Sequence, residues 1–210
     1  MRQSRGASEK FHGAVIDHYG GSDTRVFREV TKVGAALEKL QEVNGSQNPA
    51  EAAVIYDVEN RWAVEDAAGP RNAGVFYKET VEKPYQAFRK LGINVDVIDE
   101  TCSLDGYRVV AAPMVYLLRE GWTEKVRNFV KNGGIFLLTY WSGIVDETDL
   151  CYLGGTPHDL MDVMGFRSME IDGLYDGEWN EGIPEPENPL HLELAYRCSH
   201  LCELVQPSTA

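Results

Sequence analysis

The sequence lacks a long apolar run and is poor in basic residues. No stretch approaches the ~20 consecutive apolar residues that a membrane-spanning helix requires, and residues 1–13 lack the apolar core of a secretory signal. The 20 Lys and Arg residues are outnumbered by 33 Asp and Glu residues, which gives a net charge of −13. A nucleic-acid partner would require a basic face. These absences predict a cytoplasmic protein that binds neither nucleic acid nor a membrane.

Cysteine is also scarce. The four cysteines, Cys102, Cys151, Cys198 and Cys202, include no CxxC pair, and a chain of 210 residues can build a core without disulfides. We therefore predict four reduced, buried thiols. Cys198 and Cys202 would stand one turn apart on a helix, but only His200 lies near them, so the zinc set is incomplete and no metal is predicted.

The motifs of common catalytic and nucleotide sites are missing. No GxGxxG or GxxxxGK(S/T) loop follows an apolar run, so no cofactor is predicted. Ser142 lacks a GxSxG context, and we interpret its hydroxyl as one that hydrogen-bonds a loop backbone. Asp146 and Glu147 are adjacent, so they point apart on an extended chain. Glycoside cleavage needs two carboxyls roughly 5–9.5 Å apart across one bond, and a loop-ordering or intersubunit salt-bridge role suits this pair better.

The first predicted element is a helix over residues 23–43. Five apolar residues at 4-3-4-3 spacing form one stripe along it: Val26, Val30, Val33, Leu37 and Leu40. Ser22 or Asp23 can cap its start, and Asn44-Gly45 is a natural stop. The polar stretch that follows predicts a boundary between two domains, residues 1–48 and 49–210.

After this boundary, apolar runs alternate with amphipathic stretches. Strands are predicted over residues 52–56, 94–98, 108–112 and 135–140, and helices over 78–91 and 122–131. This alternation is typical of an α/β fold with a doubly wound, mostly parallel sheet, flavodoxin-like or class I glutamine amidotransferase-like. Weaker patterns predict a helix over 159–164, a loop over 173–188, a strand over 190–194 and a helix beginning in 199–205.

The ligands of an open α/β sheet bind at the carboxyl ends of its strands. Here those ends carry Asp57-Val58-Glu59-Asn60, Asp99-Glu100, Pro113-Met114 and Tyr140-Trp141-Ser142-Gly143. An amidotransferase would place a nucleophilic cysteine at the sharp turn after a central strand, and residues 140–143 contain none. An independent amidotransferase-like enzyme stays an alternative, but the nucleophilic cysteine that it would need is missing.

Near the N-terminus, Glu9 and His12 are three residues apart. On a helix they would share a face and could converge on one ligand. A carboxylate and an imidazole suit sugar hydroxyls, because together they can accept and donate hydrogen bonds. The pair alone is also compatible with a solvated surface, and it leaves a free-standing sugar-binding module as a second alternative.

Several blocks of the sequence resemble glycoside hydrolase family 42 β-galactosidases. The first is residues 2–12, which contain Glu9 and His12, and the most specific is Thr139-Tyr140-Trp141-Ser142-Gly143-Ile144-Val145-Asp146-Glu147. Further matches, in the family's order, are Asp23-Thr24-Arg25, Asp57, Trp62, Glu65, Val95-Asp96-Val97, Ala112-Pro113-Met114, Leu153-Gly154-Gly155 and Asp159-Leu160.

The resemblance implies a helical remnant of a (β/α)₈ barrel in residues 1–48 and a trimerisation domain, truncated at its C-terminus, in 49–210. It implies a homotrimer, and it makes Glu9 and His12 galactose-binding residues in the βα loops where barrel active sites lie. Both catalytic glutamates of the family would precede residue 1. We therefore expect no catalytic residue in this chain, no β-galactosidase activity from it alone, and β-galactoside binding only together with the missing barrel.

Overall fold

The computed structural model describes residues 5–6, 8, 14–71 and 73–208. Glu9 and His12, the predicted substrate-binding pair, lie outside these described residues. The chain divides into two compact units, Met1–Asn48 and Pro49–Ala210. None of the described helices is long and apolar enough to cross a membrane.

In the first unit the main element is α1 (Arg25–Lys39), and a 3₁₀ turn (Gln41–Val43) follows it. Its cap is Thr24, whose Oγ1 accepts a hydrogen bond from the Phe27 backbone N–H at 3.2 Å, so the expectation of Ser22 or Asp23 was wrong. The predicted apolar stripe is present, but its residues are 40–62% exposed. The amphipathic pattern therefore forms a helix whose apolar face lies open.

The second unit is a mixed α/β fold built around a parallel sheet. Its elements in chain order are β1 (Ala52–Ile55), α2 (Val58–Asp66), α3 (Tyr77–Lys90), β2 (Val95–Ile98), β3 (Val109–Ala112), β4 (Leu117–Leu118), α4 (Trp122–Lys131), β5 (Ile135–Leu138), β6 (Val145–Asp146), α5 (Met161–Met164), β7 (Phe166–Gly173), β8 (Asn180–Gly182), β9 (Tyr196–Cys198) and β10 (Leu201–Pro207). The four main strands lie in the order β2-β1-β3-β5, all parallel. The strands and helices predicted between residues 52 and 140 are confirmed, with small shifts at their ends.

Helices cover both faces of this sheet. Val54 and Ala111 pack with residues of α2 and α3 on one face. Ala53, Ile55 and Val110 pack with α4 on the other, around the fully buried Trp122. Alternate residues of a strand point to opposite faces, so both cores draw on the same short apolar runs.

Four local expectations were wrong. Residues 201–205 form most of β10, because they pair with the antiparallel strand β7 much earlier in the chain, a partner that the local pattern does not reveal. Residues 190–194 form no strand, and the predicted loop over 173–188 contains β8. The thiols of Cys151 and Cys198 are exposed, whereas those of Cys102 and Cys202 are half-buried, and all four are free.

The helix α2 was not predicted. It buries only Asn60, Ala63 and Val64 and leaves Val58 and Trp62 largely exposed. Because its apolar residues do not form one stripe, a periodicity argument has nothing to detect. Its start is instead defined by Asp57, which caps it.

Two tryptophans offer a matched test of where the core lies. Trp122 is 1% exposed against α4 and the sheet, whereas Trp62 is 61% exposed on α2. Trp122→Ala is expected to lower the free energy of unfolding by about 3–5 kcal/mol, because it leaves a cavity. Trp62→Ala is expected to change it by less than about 0.5 kcal/mol. Urea unfolding followed by circular dichroism measures both, and similar losses in the two variants would contradict this account of the core.

Candidate functional site

Asp57 stands at the carboxyl end of β1 and begins α2. Its carboxylate accepts hydrogen bonds from the backbone N–H groups of Glu59 (2.8 Å) and Asn60 (3.1 Å), as an N-cap aspartate does. Arg119 donates to the same carboxylate from Nε (2.8 Å) and Nη2 (3.0 Å), a two-pronged ion pair. Asp57 is fully buried.

The pKa of Asp57 is set by two opposing effects. Burial alone would raise it, but the hydrogen bonds from Arg119 and from the Asn60 backbone outweigh burial and lower it. The Asp57 carboxylate therefore stays ionised at neutral pH. With its two oxygens already engaged by four donors, it has little capacity to act as a base.

Asn60 holds the loop between β3 and α4 in place. Its side-chain Nδ2 donates to the Met114 carbonyl at 2.9 Å, and its Oδ1 accepts from the Leu117 backbone N–H at 2.8 Å. Arg119, on the same loop, also pairs with Glu59 at 2.6 Å. The first turn of α2 is therefore clamped to the loop at the strand ends by side chains of both segments.

Glu100 lies after β2 and is 1% exposed. Its Oε2 accepts from the Arg119 backbone N–H at 3.0 Å, while its Oε1 has no hydrogen-bond partner among the described residues. Burial raises the pKa of Glu100 to about 8, so the carboxyl is mostly protonated at neutral pH. Lys125 closes the adjoining turn by donating to the carbonyls of Glu100 and Cys102, each at 2.7 Å.

The turn over residues 140–143 is where an amidotransferase would carry its nucleophile. Trp141 occupies it with a left-handed backbone (φ 59°), is buried, and stacks on Tyr116 at a ring distance of 5.5 Å. The Ser142 hydroxyl accepts from the Val115 backbone N–H (3.1 Å) and donates to the Thr139 carbonyl (2.9 Å), which confirms the structural interpretation of this residue.

Asp146 orders the loop that follows. Its Oδ1 accepts from the Thr148 hydroxyl (2.7 Å) and from the backbone N–H groups of Thr148 (2.8 Å) and Leu150 (3.1 Å). These bonds, that of the Thr148 hydroxyl first, lower the pKa of Asp146. The loop-ordering role is confirmed for Asp146, and an intersubunit role for Asp146 or Glu147 stays a prediction.

The strand ends therefore bring together some predicted residues and add others. Asp57, Glu59, Asn60 and Glu100 lie at the strand ends as predicted. Arg119 bonds to all three carboxyl groups, and neither it nor Lys125 was singled out from the sequence. Nothing local pointed to Arg119, which lies 62 residues from its partner.

This geometry defines a class of domain: an α/β domain whose strand-end carboxylates are used for structure. Comparison with known proteins specifies it further. Residues 50–210 match the family model described as the β-galactosidase trimerisation domain, and residues 1–40 match the model described as β-galactosidase. The chain belongs to the glycoside hydrolase family 42 β-galactosidases and contains their trimerisation domain.

The relatives are similar over nearly all of this chain. β-Galactosidase BglY of Alicyclobacillus acidocaldarius is 53% identical over 204 residues, which cover 97% of this chain and 30% of that protein. The β-galactosidase from Rahnella sp. R3 has a crystal structure that matches this chain with a TM-score of 0.76. The two sequences are 51% identical, and the match covers 99% of this chain and 30% of the Rahnella chain. The β-galactosidase from Bacillus circulans sp. alkalophilus is 43% identical in sequence, and its crystal structure matches with a TM-score of 0.77 over 100% of this chain and 31% of that chain. The chain thus spans about 30% of the length of these relatives.

Because Glu100 is buried, we expect the free energy of unfolding to fall as the pH rises. Its pKa moves from the ordinary 4.5 to about 8 on folding, so between these values only the folded chain holds the proton. The free energy of unfolding then declines by up to about 1.4 kcal/mol per pH unit. Glu100→Gln removes this titration, and urea unfolding between about pH 5 and 8 should show a flatter pH dependence than wild type.

Glu38→Gln, at an exposed position of α1, is the control and should keep the wild-type slope. If Glu100→Gln keeps that slope as well, Glu100 is not the group that holds the extra proton.

Proposed function

We propose that this chain is the homotrimerisation module of a β-galactosidase that hydrolyses terminal β-D-galactosides. The observation that carries the proposal is the match of residues 50–210 to the β-galactosidase trimerisation domain. The strand-end network supports it, because the carboxylates Asp57, Glu59 and Glu100 are engaged or buried there and offer no pair for glycoside cleavage. No observation favours the amidotransferase-like alternative.

We extend the proposal to the two parts of the chain. Residues 1–48 would be the last loop and helix of a (β/α)₈ barrel, and the open apolar stripe of α1 supports this, since a barrel helix covers the strands with such a face. Residues 49–210 would be a doubly wound, flavodoxin-like domain. The sheet order β2-β1-β3-β5 and the helices on both faces support that description.

The catalytic part of the proposal concerns the whole protein. A retaining reaction would use one glutamate as nucleophile and one as acid/base, both in the barrel and outside this chain. Glu9 and His12 would orient the galactose by hydrogen bonds to its hydroxyls. The free-standing sugar-binding alternative depends on this same pair. A cytoplasmic location stays a prediction.

The trimer is directly measurable. The chain has a mass of 23.5 kDa, and light scattering is expected to give three times that mass. After deletion of residues 1–48 the measured mass should be three times that of the shortened subunit, because the trimer contacts would belong to residues 49–210. A soluble monomer after the deletion would mean that the exposed stripe of α1 drives association, and the trimerisation proposal would fail.

Glu9 and His12 can be tested in a chimera. In a full-length family 42 enzyme, the segment that aligns with residues 1–48 is replaced by that of this chain. Glu9→Ala or His12→Ala should then lower kcat/KM on a nitrophenyl β-galactoside by roughly tenfold or more, because a charged hydrogen bond is worth about 1.5–3 kcal/mol. The 210-residue chain alone should show no turnover. Unchanged kinetics in both variants would mean that Glu9 and His12 do not bind the substrate and are ordinary surface residues.

A further inference from the structure

Between β7 and β10 the chain makes a long excursion, residues 174–200, which we call the arm. Its two ends meet, because Leu201 pairs with Gly173 and the Leu174 N–H donates to the His200 carbonyl at 3.0 Å. Its middle is the short antiparallel pair β8 and β9. The arm is therefore a loop that projects from one end of the two-stranded sheet of β7 and β10, with its two ends joined at the base.

The base of the arm is fixed to the second unit. The Arg71 guanidinium donates to the Leu174 carbonyl and pairs with Asp176 at 2.5 Å. The His200 ring lies edge-on to Phe76 at 6.5 Å. These contacts hold the first and last residues of the arm and set its direction.

The rest of the arm exposes apolar side chains. Tyr175, Ile183, Leu190 and Leu194 are 74–80% exposed, and only Leu174 at the base is buried among its large apolar residues. An isolated two-stranded hairpin is at best marginally stable in water. The arm is nevertheless ordered locally, since Asn188 donates to the carbonyls of Glu185 (2.8 Å) and Leu192 (3.0 Å). An ordered segment with its apolar side chains outward fits a surface that docks on a partner.

The charge of the arm restricts what that partner surface can be. The arm carries six Asp and Glu residues against a single Arg, in a chain whose net charge is already −13. An acidic surface of the same chain would repel it. Helices α1, α3 and α4 each carry more Lys and Arg than Glu, and in α3 there are four Lys and Arg residues against two Glu residues.

Beside α3 lies an apolar groove lined by Tyr56, Lys78, Val81, Glu82, Tyr85 and Val97. Val97 on the edge strand β2 is 54% exposed, and Tyr85 on α3 is 37% exposed. The groove therefore joins open apolar side chains to a helix of net positive charge. Its own charged lining residues, Lys78 and Glu82, pair with each other at 3.7 Å, so the attraction to an acidic arm comes from the other Lys and Arg residues of α3.

We propose that the arm of one subunit docks in the α3–β2 groove of a second copy of this chain. The inference rests on the proposed trimer and names its contact. A threefold ring requires a heterologous contact, in which one patch of each subunit meets a different patch of the next. The arm and the groove are two different, complementary patches on one chain, so each subunit has one of each and three contacts close the ring.

The test uses two variants of the 210-residue chain. The arm variant carries Ile183→Ser, Leu190→Ser and Leu194→Ser, three exposed positions. The groove variant carries Tyr85→Glu and Val97→Thr. Leu153→Ser is the control, because Leu153 is 90% exposed and lies in neither patch. Light scattering gives the mass of each, and circular dichroism melting checks that each is folded.

Wild type and control are expected at three times the subunit mass, and each variant alone at one subunit mass. An equimolar mixture of the two variants should give twice the subunit mass, because one intact arm still meets one intact groove. A second arm variant, Glu185→Lys with Glu187→Lys, removes no apolar side chain and should weaken the trimer at least tenfold at low salt.

The outcomes that overturn the proposal differ from one another. A trimeric arm variant would show that the arm is not the contact, while the proposed trimer stands. Monomeric variants whose mixture stays monomeric would show that the arm does not dock in the groove. A monomeric wild type would overturn the trimerisation proposal and this contact together.

Discussion

The ion pair between the buried Asp57 and the partly exposed Arg119 is the interaction on which the second unit depends. Asp57 ends β1 and caps α2, while Arg119 belongs to the loop that leads into α4. The pair therefore ties the helices of one sheet face to the helix of the other. Removing one partner of a buried pair costs about 3–5 kcal/mol, mainly because the other charge is left unpaired. Asn60 and Glu100 add hydrogen bonds to the same loop.

This arrangement fills the place where α/β enzymes bind their ligands. The loop after β3 and the turn over residues 140–143 lie against the strand ends, with Trp141 buried where a nucleophile would stand. Asp57, Asn60 and Ser142 here bond to Arg119 or to the backbone, and Glu100 bonds to the backbone through one oxygen while the other has no partner among the described residues. The strand ends of this trimerisation domain therefore serve its own packing.

The sequence predicted the parallel sheet and its helices well, because short apolar runs and amphipathic stretches are local signals. It failed where the decisive contact is remote or the local pattern is weak. The ladder of β10 with β7 and the pairing of Arg119 with Asp57 join residues far apart in the chain. The helix α2 lacks an apolar stripe, and its cap was the only local sign. Of the site, the acids at the strand ends were predictable, but their engagement with Arg119 and Asn60 was not.

The distribution of the four tryptophans gives the protein a built-in optical reporter. Trp122 and Trp141 are buried in the two cores, whereas Trp62 and Trp179 are 61% and 46% exposed. Iodide can therefore quench the emission of the second pair selectively in the native state. Trp179 lies on the arm, where the Arg197 guanidinium stacks on it at 4.2 Å. With the exposed Trp62 replaced, the emission that iodide quenches would come from Trp179 and would follow the surroundings of the arm without any attached dye.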